Sequence, residues 1–180
     1  MINPSIAIIV INWNSYRYTF DCITSLKKCK YPNFKIILVD NGSNDFSIEQ
    51  LSEDFKGLDI IKNKSNLGFT GGNNIGISKA LNEKFDYVML LNNDTIVNSE
   101  FLSFLVRRLE NENKLGAIQP LILQMDDKTK VWNAGGRFFR LIGLPNVIGK
   151  GKNIKSINSN NYYSEWISGC CIILKSKVIR

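Results

Sequence analysis

Four short clusters carry the residues that could do chemistry. Asn92-Asn93-Asp94 follows an unbroken apolar run, Tyr87-Val88-Met89-Leu90-Leu91. Such a run reads as a strand buried on both faces. Asp94 is therefore expected at the carboxyl edge of a sheet, where open α/β folds hold their ligands. Two other apolar runs end the same way, in Asn12-Trp13-Asn14 and in Asp40-Asn41-Gly42-Ser43-Asn44-Asp45. The fourth cluster, Asn66-Leu67-Gly68-Phe69-Thr70-Gly71-Gly72-Asn73-Asn74-Ile75-Gly76, opens a helix, and free amides at a helix start attract anions, phosphate above all. Carboxylates, the ring of Trp13 and an anion-seeking helix start together suit a nucleoside diphosphate. A divalent cation would bridge it to Asp94. Each cluster taken alone also has a plainer reading. Asp94-Thr95 reads equally as a turn before the next helix. Asp40, Asn44 and Asp45 read as turn residues, Gly71-Gly72 as loop, and Trp13 as a core aromatic.

Several chemistries are excluded. The chain has no histidine, so it holds no His-based triad, HExxH zinc site or His general base. No Gly-Lys-Ser/Thr follows the glycines, so the fourth cluster is not a Walker A loop. The first strand ends in Asn-Trp-Asn-Ser without glycine, unlike a dinucleotide fingerprint or the glycine-rich loop that opens nucleotidylyltransferases of sugar phosphates.

The elements that must position these clusters follow from hydrophobic patterning. Strands are expected at residues 6–11, 34–39, 58–61 and 87–91, with a helix capped at Asn14 or Ser15 and running through Lys27, and further helices at about 47–55, 75–84 and 99–113. This alternation argues for a mainly parallel sheet with crossover helices. Residues 115–119 and 121–125, separated by Pro120, are further strand candidates, and residues 166–174 form the last expected strand. After about residue 125, glycines punctuate short apolar pieces, and residues 156–161 are polar, so irregular hairpin and loop structure is expected there. With 180 residues and no linker rich in Pro or Ser, a single domain over 1–180 is the simplest organisation.

Hydrophobic residues make up 44% of the chain and charged residues 22%, which marks a globular protein, and no apolar run approaches the roughly 20 residues of a membrane span. The four cysteines lack zinc-site spacing and are read as reduced packing residues, which favours the cytosol. The net charge of +7 reads first as a lysine-rich solvated surface, with local clusters at Lys27, Lys28 and Lys30 and at Lys150, Lys152 and Lys155. No nucleic-acid-binding motif is present, and no nucleic-acid partner is expected.

The segments Ile8 to Asn14, Ile37 to Asp45, Asn66 to Gly76 and Leu90 to Asp94 occur in an order that resembles the successive blocks of family 2 glycosyltransferases. The rhamnosyltransferase-like branch is the most similar, and Trp166 to Leu174 resembles that branch's next block. The resemblance spans nearly the whole chain. It implies the GT-A fold, an α/β, Rossmann-like, mainly parallel sheet flanked by helices. It implies an inverting, metal-assisted transfer of a sugar from a dTDP-, UDP- or GDP-sugar to a saccharide or lipid-linked acceptor in cell-surface polysaccharide synthesis.

Roles follow residue by residue from the same resemblance. Asp40 contacts the base or ribose, Trp13 stacks near the base with Asn14 beside it, and Gly68 belongs to the anion-binding helix start. Asn73 stands where many relatives have an arginine near the diphosphate. Asn92-Asn93-Asp94 stands at the Asp-x-Asp motif with only its final carboxylate retained, so Mg²⁺ or Mn²⁺ is expected to be held mainly by the donor's diphosphate. No catalytic base is identified. The family's lies in a Glu-Asp block expected beyond Arg180, so the chain is expected to be the N-terminal, donor-binding part of a longer enzyme. A non-catalytic nucleotide-sugar-binding module is the alternative. The expected location is the cytoplasm, with peripheral contact at the inner face of the membrane through Lys150, Lys152 and Lys155.

Overall fold

A computed structural model describes residues 3–157 and 163–179. Strands β1 (Ile6–Asn12), β2 (Phe34–Asp40), β3 (Asp59–Lys62) and β4 (Tyr87–Leu91) alternate with helices α1 (Tyr16–Lys27), α2 (Ser47–Asp54) and α3 (Gly68–Asn82), and α4 (Phe101–Asn111) follows β4. Later come β5 (Ala117–Ile118), β6 (Ile122–Leu123), β7 (Val131–Asn133), β8 (Gly136–Phe139), β9 (Leu144–Val147) and β10 (Cys171–Lys175). The main sheet has the order β3-β2-β1-β4-β10-β5. Its first four strands run parallel, while β10 is antiparallel to both β4 and β5. The expected mainly parallel α/β sheet is thus present, with hairpin structure after residue 125.

The apolar runs become central strands because both faces are covered. On one face, Ile6, Ile8 and Val10 of β1 join Cys22, Ile23 and Leu26 of α1, Leu51 of α2, and Leu102 and Leu109 of α4. On the other face, Ala7 and Ile9 meet Ile37, Val39 and Val88 beneath Ala80 of α3. Alternate residues of one strand therefore serve two cores, which is why β1 shows no polar alternation.

Three elements depart from the sequence reading. α3 begins at Gly68, seven residues before its apolar periodicity does. Its glycines are tolerated because the helix lies close on the sheet. A Cβ at Gly76 would stand 2.6 Å from Cγ2 of Ile9. The last strand is shorter than residues 166–174, because Trp166 makes only a single bridge with Gly136 and residues 169–170 form a turn. The candidates beside Pro120 shrink to two residues each, one joining the main sheet and the other pairing with β7. Part of the expected polar loop at 156–161 lies outside the described residues.

Candidate functional site

Parallel pairing puts the carboxyl ends of β1, β2 and β4 on one edge. Asn12 lies opposite Asp40, and Val10 opposite Leu91. The ends are also tied by side chains. Thr19 of α1 donates its hydroxyl to Oδ1 of Asn12 at 2.8 Å and accepts from Nδ2 of Asn93 at 2.9 Å. Asn12, fully buried, donates from Nδ2 to Oγ of Ser47 at 2.8 Å and to Oγ of Ser43 at 3.0 Å. Ser43 in turn donates its hydroxyl to Oδ1 of Asp40 at 2.5 Å. One polar chain thus runs from the loop after β4, through α1 and β1, to the loop after β2. Buried amides and hydroxyls of this kind fix a loop because any movement would strand a desolvated donor or acceptor.

A second asparagine anchors the α3 end. Asn41 is buried; its Nδ2 donates to Oδ1 of Asn66 at 2.8 Å and to the Gly68 carbonyl at 3.2 Å. Its Oδ1 accepts from Nδ2 of Asn63 and from the Leu67 amide, both at 3.1 Å. Gly42 has φ +77°, and a Cβ there would lie 2.7 Å from the backbone of Ser65, so the turn after β2 packs directly on the loop before α3.

The candidate residues fall into three groups. Trp13 and Asp94 present free surfaces. Trp13 is 53% exposed and is not a core aromatic, and the exposed carboxylate of Asp94 makes no hydrogen bond or ion pair among the described residues. Asn14, Gly68, Asn92 and Asn93 shape the edge. Asn14 has φ +49°; its amide donates to Oγ of Ser43 and its Oδ1 accepts from the Asn44 amide at 2.9 Å, clasping the two loops. Gly68, φ +70°, starts α3 with its amide held by Oδ1 of Asn66 at 2.8 Å. The Asn92 amide donates to the Cys170 carbonyl at 2.8 Å, and its carbonyl accepts from the Thr95 hydroxyl at 2.6 Å. Asp40 and Asn73 are turned inward. Asp40 is 3% exposed and spends Oδ1 on Ser43, while Asn73 is 4% exposed and donates to the Phe69 carbonyl one turn back.

The segment before β10 closes the edge. Cys170 neighbours Asn92 through the bond above, and Gly169 lies against Phe69, where a Cβ would stand 3.3 Å from the ring. Burial pushes the Cys170 thiol up to about 11, and the negative charge of Asp94 adds to that shift. Cys22 and Cys171 are buried and Cys29 and Cys170 partly buried, all as free thiols in the structure. Among the described residues, no group of three or more His, Cys, Asp or Glu side chains could hold a metal ion by itself. Asp94 offers a single hard-oxygen ligand, a donor set that fits Mg²⁺ or Mn²⁺ only when phosphate oxygens and water complete the shell.

Sequence reasoning missed three residues. Thr19 joins two strand ends, yet in sequence it is an ordinary helix position. Asn41 looks like a turn residue but is a buried hub. Phe46 is 75% exposed at φ +61°, an uncommon conformation for a bulky residue, and it stands on the loop that Asn14 clasps. The Asp-Phe-Ser triplet holding it gave no signal beyond turn chemistry.

Known proteins share this architecture. A mannosyltransferase from Pyrobaculum calidifontis, in complex with GDP-Man and Mn²⁺, superposes with a TM-score of 0.68 at 13% identity over 99% of this chain and 46% of its own. TarS of S. aureus, in complex with UDP-GlcNAc, gives a TM-score of 0.55 at 23% identity over 61% of this chain and 32% of its own. Likeness at these identities establishes the fold, which is GT-A. In sequence, an uncharacterized glycosyltransferase of Haemophilus influenzae is 30% identical over 118 residues, 64% of this chain and 36% of the relative. A poly-beta-1,6-N-acetyl-D-glucosamine synthase of Staphylococcus epidermidis is 28% identical over 118 residues, 63% of this chain and 27% of the relative. The chain thus spans about a third of the length of the curated relatives it matches. The model of the family described as "Glycosyl transferase family 2" matches residues 7–179, and the chain belongs to that family.

Proposed function

We propose that the chain binds a nucleoside diphosphate sugar along the β1-β2-β4 edge and serves hexosyl or rhamnosyl transfer to a saccharide or lipid-linked acceptor in cell-surface polysaccharide synthesis. The observation that carries this reading is the Asn93–Thr19–Asn12–Ser43 chain. It locks three strand ends together while Asp94 is left without a hydrogen-bond or ion-pair partner among the described residues. A rigid edge bearing one free carboxylate suits a ligand that brings its own anionic oxygens.

In this reading the base lies between the loops that carry Trp13 and Phe46. Asp40 serves the nucleoside by holding the Ser43 loop in place, with Oδ1 accepting from the Ser43 hydroxyl and Oδ2 from the Ser43 amide at 3.4 Å. The diphosphate lies toward the start of α3, where first-turn amides without intrahelical partners favour negative charge. Asp94 would hold Mg²⁺ or Mn²⁺ jointly with the diphosphate, and the ion would supply stabilisation of charge on the leaving group. Asn92 and Asn93 set the direction of Asp94 through Cys170 and Thr19. Asn73, buried and bonded to its own helix, supports α3 and leaves the phosphate contact to backbone amides. Nucleotide sugars and lipid-linked acceptors meet at the cytoplasmic face of a membrane, which is the site of action this reading implies. Among the described residues no helix is long and apolar enough to cross one.

A thermal-shift panel of UDP-, dTDP- and GDP-sugars, with and without Mn²⁺, tests the reading. One nucleotide should stabilise the native state by about 2.7 kcal/mol at a hundredfold excess over Kd. D94N should abolish the Mn²⁺-dependent part of that shift without changing the melting temperature of the free protein, because among the described residues the carboxylate makes no hydrogen bond or ion pair. Absence of any nucleotide-dependent shift would end the proposal.

A further inference from the structure

The charge of this chain is not spread evenly. Between Asp127 and Glu165 there are seven Lys and Arg residues and no acidic one, while the rest of the chain balances 16 basic against 16 acidic residues. The whole excess of +7 therefore belongs to this one segment. The same segment carries the β8–β9 hairpin, a separate two-stranded sheet. Gly136 packs against the Trp166 ring at its base, and Phe139 pairs with Leu144 next to its tip. The turn between them is Arg140-Leu141-Ile142-Gly143, closed by amides of Ile142 and Gly143 donating to the Phe139 carbonyl at 3.0 and 2.8 Å. The apolar side chains in and beside this turn are unburied: Leu141 is 101% exposed, Ile142 66%, and Phe139 and Leu144 56% each. Beside the hairpin, Arg137, Lys150 and Lys152 line one open cavity of about 610 Å³. None of these three cations makes an ion pair among the described residues, whereas Arg140 pairs with Glu165 at 2.8 Å.

We propose that the β8–β9 hairpin docks the chain on an anionic lipid bilayer, with Leu141, Ile142 and Leu144 entering the interface and Arg137, Lys150 and Lys152 engaging lipid phosphates. Aliphatic side chains at a turn, with cations set back from it, match the two layers of a membrane surface, acyl boundary and headgroup. The alternatives fit less well. A second copy would bring two +7 segments together, and like charges repel. Nucleic acid would meet the cations, but Leu141 and Ile142 neither stack on bases nor bond to them. The proposal rests on this surface alone, uses no residue of the strand edge, and is tested without nucleotide.

The 180-residue chain would be co-sedimented with phosphatidylcholine vesicles and with vesicles containing about one third phosphatidylglycerol. Binding is expected only to the anionic vesicles and should weaken with salt. Leu141→Asp combined with Ile142→Asp should reduce partitioning at least about tenfold, from loss of apolar insertion. K150E with K152E should reduce it similarly and flatten the salt dependence. All these side chains are exposed, so the variants should melt with the parent. L141W gives an independent readout: brominated acyl chains should quench its emission beyond that of the parent. The proposal is overturned by absent vesicle binding, by full binding of the double Asp variant, or by L141W emission that brominated lipid leaves unchanged. Binding of duplex RNA by the double Asp variant, with no vesicle binding by the parent, would reassign the surface to nucleic acid.

Discussion

Asn12→Ala probes the joint on which the strand edge depends. Asn12 is fully buried and makes three short side-chain bonds, at 2.8 Å with Thr19, 2.8 Å with Ser47 and 3.0 Å with Ser43. Each neutral bond contributes a net of about 1 kcal/mol, and truncation also leaves buried hydroxyls without their partner, so a loss of about 3 kcal/mol is expected. That is a large share of the roughly 5–15 kcal/mol of a typical domain. At about 2–4 °C per kcal/mol for a chain of this size, the melting temperature should fall by roughly 6–12 °C. Urea unfolding is the direct assay: the midpoint should drop with the slope unchanged. Because Asp40, Ser43 and Asn93 lose their common anchor, nucleotide affinity should also fall, by about tenfold or more, under conditions where the variant is still folded. N12D sharpens the test. It keeps the shape but removes the donor and places a second carboxyl beside Asp40, so its own pKa is pushed up. The stability of that variant is then retained below the ordinary carboxylate range, at about pH 4, and lost as pH rises through the raised value. A loss under about 1 kcal/mol for N12A, with nucleotide affinity intact, would refute the joint as described.

Further outcomes follow from single contacts. W13A should leave stability within about 0.5 kcal/mol, because the ring is 53% exposed, yet weaken nucleotide binding measured by titration calorimetry. G76A should destabilise by about 1–3 kcal/mol in denaturant, since the added methyl would sit 2.6 Å from Ile9 and must push α3 off the sheet. Burial pushes the Cys22 thiol up to about 12 and the Cys29 and Cys170 thiols up to about 11. Each native thiol therefore holds its proton more tightly than its unfolded counterpart, so the stabilisation is complete below about pH 8.5 and declines as pH rises toward the native values. Melting curves taken between about pH 8 and 11 should fall monotonically, and a Cys22→Ser variant should show a shallower fall.

The sequence by itself determined the strand ladder and the polar clusters at its ends, because a strand buried on both faces must be an unbroken apolar run and must stop where the chain meets water. Family blocks such as Val39-Asp40-Asn41-Gly42 and Leu91-Asn92-Asn93-Asp94 could be read for the same reason. Only the tertiary structure decided which members of those clusters face outward. Asn73 and Asp94 look equally polar in sequence, yet one is buried in helix packing and the other is free, because burial depends on what lies across the sheet. Thr19 and Asn41 gained their roles from partners 74 and 26 positions away, separations that leave no local pattern. The hairpin tip shows the converse. Phe139, Leu141, Ile142 and Leu144 are as apolar as core residues, and only the fold shows that among the described residues nothing covers them.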